Sequence, residues 1–137
     1  MMTETTVGST AHGSRGMLWV ARAVGGLFLL FVLLDTGMHL LRPQPVVDAF
    51  ARLGLPLTLA VPIGVIELLC TLAYVVPRTR IVGAVLLTAV LGGAIVAHAR
   101  VGDPAFPTVI FPVIVGLMIW VPLYLTEPRV RSLIAKA

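Results

Sequence analysis

One cysteine, Cys70, is all that this 137-residue chain contains, which excludes an intrachain disulfide, a Cys-x-x-Cys thiol couple and a multi-cysteine zinc or iron–sulfur centre. Charge is nearly as scarce. Asp, Glu, Lys and Arg make up 12% of the residues, against roughly 25% in soluble domains, too few to clothe a water-facing surface. Aromatic residues are 7%, and no basic stripe is interleaved with them, so the net charge of +4 does not mark a nucleic-acid surface. A phosphate-cradling glycine loop, a Ser-His-Asp order, a zinc-protease motif, an internal repeat and a low-complexity stretch are also missing. Cys70 itself reads as a small buried side chain or as a lone reactive thiol, and its apolar neighbours favour the first.

Long apolar runs stand in place of these features. Hydrophobic residues are 58% of the chain and the mean hydropathy is +1.04. The runs cover residues 18–41, 57–76, 81–99 and 109–125, each close to the ~17–25 residues that a helix needs to cross a bilayer. They predict an all-α integral membrane four-helix bundle of up-down-up-down order, with residues 17–126 as its one domain. Outside it stand a polar tail, residues 1–16, expected to be disordered, and a basic tail, residues 127–137. A cleaved signal peptide is the other reading of the first run. Its length, the Asp35 within it and the absence of a small-x-small pattern in the following Leu41-Arg42-Pro43-Gln44-Pro45 argue for a retained span.

Arg15, Arg22, Arg78, Arg80, Arg129, Arg131 and Lys136 fall on one side of such a bundle, and only Arg42, Arg52 and Arg100 on the other. Because cytoplasmic loops collect Lys and Arg, both termini are expected in the cytoplasm, and the membrane is expected to be the plasma (inner) membrane. The lipid bilayer is thus the first partner, its anionic headgroups meeting the basic collar.

Between spans one and two, residues 44–54 carry Pro45 at a helix start, Gly54 at a C-terminal cap and Val46, Val47, Phe50 and Leu53 on one face. This predicts a short interfacial helix with an i,i+4 pair of Asp48 and Arg52 on its surface, either as a loop anchor or as a lid over the bundle mouth. Pro56 and Pro62 delay or kink the start of span two, and Pro77-Arg78-Thr79-Arg80 is a tight turn into span three. Gly83, Ala84, Ala89, Gly92, Gly93, Ala94 and Ala97 suggest that span three is the packing centre. Gly102-Asp103-Pro104 turns into span four, whose Trp120 and Tyr124 are interface anchors. Val130, Leu133 and Ile134 in the tail are expected to face lipid.

Asp35, His39, Glu67 and His98 lie within the apolar runs, where an ionised group costs about 2.5–3.5 kcal/mol on insertion scales. Asp35 and His39 are one helical turn apart, and Gly64, Glu67, Thr71 and Tyr74 share one stripe of span two. Convergence of these faces predicts a polar funnel closed by Tyr74. A carboxylate beside an imidazole can accept a proton from a substrate hydroxyl, giving a candidate relay from Glu67 through Asp35 and His39 to His98. The bland alternative is a buried ion pair and an interhelical hydrogen bond that set helix register. Two His and two carboxylates suit a divalent metal chemically, but no motif spaces them, so no metal is assigned; haem ligation fits less well because the two His differ in depth.

The stretch Pro77 to Arg80, then Gly83 to Thr88, and Leu91-Gly92-Gly93-Ala94-Ile95-Val96-Ala97-His98-Ala99-Arg100-Val101-Gly102-Asp103-Pro104 resembles the DoxX-like membrane proteins. So do Asp35 to Leu41 with the following Pro-Val-Val-Asp-Ala-Phe-Ala-Arg-Leu-Gly segment, Glu67, and Tyr124 to Arg131, over about residues 18–133. The resemblance implies a four-span bundle, with Glu67 and His98 as family-pattern positions. It also implies kinship with a protein similar to the small subunit of a thiosulfate:quinone oxidoreductase and with accessory factors of membrane redox complexes. The leading expectation is therefore a subunit of a quinone-linked redox system. Its electron carrier would be a bound quinone or belong to a redox partner protein. A non-catalytic scaffold or assembly factor is the second expectation, and a small-molecule transporter acting as a homo-oligomer the third.

Overall fold

Why the chain takes the shape it does is clearest from its outer surface. In the computed structural model, which describes residues 10–135, Leu27, Leu30, Leu33 and Leu34 point away from the bundle, as do Leu69, Leu72, Val85, Val96 and Leu117. An outer face of this kind is what hydrocarbon solvates. Four segments are long and apolar enough to cross a membrane: Arg15–Leu41, Leu57–Val75, Arg80–Arg100 and Ala105–Thr126. The fold is all-α, with no strand among the described residues.

In chain order the helices are α1 (Thr10–Leu41), α2 (Gln44–Leu53), α3 (Ala60–Val75, preceded by a 3₁₀ turn at Leu57–Leu59), α4 (Arg80–Arg100), α5 (Ala105–Thr108), α6 (Ile110–Thr126) and α7 (Pro128–Ala135). Helix α1 packs on α3 and α6, and α4 also packs on α3 and α6, closing a four-helix ring. Helix α2 and its C-terminal cap form as expected: Val46, Phe50 and Leu53 are buried, and Gly54 takes φ 63, a left-handed angle that glycine adopts without strain. Span two starts late, through the 3₁₀ turn after Pro56, with Pro62 in the first turn of α3.

Three expectations need correction. Residues 10–16, read as part of a disordered tail, continue α1, because extending a formed helix by a turn costs far less than nucleating one; residues 1–9 of that tail lie outside the described residues. Span four begins earlier than residue 109, with α5 and the Pro107 turn preceding α6. Val130 of α7 turns inward and is 4% exposed in the core, while Leu133 does face outward. At the junction Arg80 reaches Glu127 at 3.3 Å, and α7 folds back on α6 so that Val130 joins the core.

The apolar core gathers toward one end of the bundle. Phe28, Val32, Cys70, Tyr74, Leu87, Val115, Ile119 and Leu123 form a continuous apolar core there, and Phe28 meets Tyr74 edge to face at 5.3 Å between ring centres. Cys70 is buried in that core, in keeping with its plain packing role. Tyr74 donates its hydroxyl to the Ile119 carbonyl at 3.0 Å, which ties α3 to α6. At the other end, under α2, the same four helices splay around a void.

Candidate functional site

Helix α1 presents Phe28, Val32 and Thr36 on its inward stripe, and extending that stripe by one turn brings His39 to the same side. Helix α3 answers with Ala60, Gly64, Glu67 and Thr71, all buried. The two helices come close at Gly64, where an added Cβ would stand 3.0 Å from His39 Cβ. Glycine here lets the ring of His39 sit beside Glu67.

The resulting cluster is compact. His39 Nδ1 lies 3.7 Å from Asp35 Oδ2 and 3.9 Å from Glu67 Oε2, and it donates to the Asp35 carbonyl at 3.0 Å. Thr36 Oγ1 donates to Glu67 Oε2 at 2.9 Å. Glu67 is 6% exposed and Thr36 4%, so this hydrogen bond between helices is buried. Thr36 is the residue that sequence reasoning missed. The apolar spacing Phe28, Val32, Thr36 was the available signal, since it places the hydroxyl on the core stripe.

Asp35, His39 and Glu67 open into a cavity of about 740 Å³. Its walls are Phe31 of α1, Ile63 and Ile66 of α3, Val90, Gly93, Ala94 and Ala97 of α4, and Phe111 and Pro112 of α6. Phe50, Arg52 and Leu53 of α2 line it on the side of the short helix. The small residues of α4 divide by place. Gly83 and Ala84 pack tightly, but an added Cβ at Gly92 or Gly93 would meet nothing within 4 Å. Span three is therefore a packing centre only at its base; further along, its small side chains make room for the cavity.

His98 lines the same cavity but does not join the cluster. Its Nδ1 donates to Asp103 Oδ2 at 2.6 Å, and no hydrogen bond connects it to Asp35, His39 or Glu67 among the described residues. His98 therefore stands apart from the three-residue cluster, on the same cavity but bonded to Asp103. Nor does the stripe below Glu67 carry free hydroxyls: Thr71 Oγ1 donates back to the Glu67 carbonyl at 2.8 Å, and Tyr74 is committed to Ile119.

Asp103 does more than turn the chain. It receives Arg52 Nη1 at 2.7 Å as well as His98, and Arg100 donates to the Leu53 carbonyl, so α2 is held onto the end of α4. The expected Asp48–Arg52 pair is absent for this reason: Arg52 reaches across to Asp103, and Asp48 accepts instead from Gln44 at 2.8 Å. Replacing Asp103 by Ala removes both bonds. Amide exchange over Gln44–Leu53 is expected to quicken roughly tenfold while α3 and α4 keep their protection; equal protection in the two proteins would show that α2 needs no such latch.

Four apolar spans around a half-hollow interior define a small multi-pass α-helical membrane protein with a polar group cluster at one end of a lipophilic chamber. The sequence pattern of the DoxX-like family matches residues 23–122, and the chain belongs to that family. Neither a curated protein nor a solved structure matches it.

Proposed function

We propose that this DoxX-like protein is a subunit of a quinone-linked redox system, holding a quinone headgroup in the 740 Å³ cavity and managing its protons through Glu67, Asp35 and His39. The observation that carries the reading is the pairing of a carboxylate–imidazole cluster, in which Glu67 is buried and Asp35 and His39 are part-exposed, with an apolar, aromatic-walled chamber large enough for a ring. Phe31 and Phe111 pack edge to face at 5.2 Å in one wall, giving a planar headgroup an aromatic surface to lie against. A quinone oxygen placed near Glu67 takes up a proton as it is reduced and yields it on oxidation. Electrons come from a redox partner protein, since this chain offers no cysteine pair or cofactor motif. The distribution of Lys and Arg supports both termini in the cytoplasm, which would put the α2 end of the bundle, and the cavity with it, on the far side of the plasma membrane proposed as its location.

Photolabelling tests the occupancy. A short-chain azidoquinone is expected to label peptides of α3 and α6 that line the cavity, and excess unlabelled quinone is expected to suppress it. Gly93→Leu, whose added side chain enters open space, should abolish most labelling without unfolding the protein. Labelling spread evenly over the lipid-facing helix surfaces, or none at all, overturns the assignment. The second reading, a scaffold or assembly factor, draws on the Thr36–Glu67 bond, which alone would fix α1 against α3.

A further inference from the structure

We propose that Asp35, His39 and Glu67 bind a divalent transition-metal ion at the polar head of the cavity. Each residue offers one donor atom, and the three donors all lie within 4.8 Å of one another. Ligands about 2.0–2.2 Å from an ion stand roughly 3–4 Å apart, so the 3.7 and 3.9 Å separations need only small side-chain rotations. Asp35 and His39 share one helix face a turn apart, and Glu67 approaches from α3, so the three ligands surround a point from two helices.

The surroundings are prepared for a cation in two further respects. Thr36 donates to Glu67 Oε2, the oxygen that faces His39, and so holds that carboxylate toward the cluster while leaving Oε2 a further lone pair. The two carboxylates also lack a fixed positive neighbour. Arg52 is the guanidinium that lines this cavity, and it is engaged with Asp103 at 2.7 Å. Two acidic groups at this spacing in an apolar bundle call for positive charge between them, and the imidazole supplies it only when protonated. An ion there takes the place of the His39 Nδ1 proton now shared with the Asp35 carbonyl, and the cavity leaves its remaining coordination positions open.

The donor set selects the class of metal. One imidazole nitrogen with two carboxylates suits Mn²⁺, Fe²⁺, Co²⁺ or Zn²⁺, whereas Mg²⁺ and Ca²⁺ prefer oxygen throughout. Of the two His and two carboxylates weighed from the sequence, His98 is not among the donors that converge, which leaves one His and two carboxylates. Binding of the ion does not depend on a quinone in the cavity; with the ion in place the three side chains are its ligands, and proton exchange with a quinone belongs to the ion-free protein.

The test uses the full chain purified in detergent, stripped with chelator and titrated with Co²⁺. One ion per chain is expected, with ligand-field absorption showing mixed nitrogen and oxygen ligation, displacement by Zn²⁺, and no displacement by equal Mg²⁺. Zn²⁺ should also raise the melting temperature of the wild-type protein, a readout that needs no variant. Asp35→Asn, His39→Gln and Glu67→Gln should each weaken Co²⁺ at least tenfold, while Asp48→Asn on the exposed face of α2 should not. Failure of wild-type protein to retain Co²⁺, retention undiminished in all three variants, or equal competition by Mg²⁺ would each overturn the site.

Discussion

Gly83→Ala is expected to cost about 3 kcal/mol or more and to lower the melting temperature in detergent by on the order of 10 °C, although it adds a single methyl group. The Cβ would stand 2.2 Å from the backbone nitrogen of Tyr74, 2.6 Å from its Cα and 2.7 Å from the carbonyl carbon of Ala73. All three are main-chain atoms, so no rotamer change relieves the overlap; α4 must be pushed away from α3. That movement would pull on Tyr74, whose hydroxyl ties α3 to α6 and whose ring packs on Phe28. Gly92→Ala supplies the internal control. It lies in the same helix, gains the same helix propensity of up to about 1 kcal/mol, and meets nothing within 4 Å. It should be neutral or stabilising, and equal melting of the two variants would disprove the close α3–α4 contact.

That contrast also shows where the sequence is legible and where it is not. Composition and run length are enough for four spans, because solvation by lipid acts on each segment separately. The boundaries of α2 are equally plain, since Pro45 and Gly54 act locally through φ. Tertiary consequences are harder to read. A glycine that admits a neighbouring backbone, Gly83, and a glycine that leaves a void, Gly93, are identical letters on one helix, and only the crossing geometry of α3 and α4 separates them.

The same limit governs the polar residues. Asp35 and His39 can be paired from their spacing alone, and Glu67 drawn to them by the cost of leaving it in hydrocarbon. Thr36 is an unremarkable letter in an apolar run until Glu67 arrives opposite it. Asp103 reads as a turn residue, and its capture of both Arg52 and His98 depends on how α2 folds back over α4. Long-range partners of this kind decide which ionisable groups join the cavity cluster and which become braces.

Glu67→Gln is the substitution that separates chemistry from architecture, and it is expected to lower quinone turnover by roughly 10²–10⁴-fold in membranes carrying the protein and its electron donor. Gln keeps the size of Glu and keeps an oxygen to accept from Thr36 Oγ1, so the bond between α1 and α3 survives. What disappears is the group that exchanges a proton with a reduced quinone oxygen. Azidoquinone labelling of the variant should therefore remain near that of the wild type, the opposite of Gly93→Leu, in which the cavity is filled and labelling is lost. If turnover is unchanged while labelling persists, Glu67 serves to join the helices and the proton role is wrong. If both fall with a lowered melting temperature, the carboxylate is holding the bundle in register, and the scaffold reading takes its place.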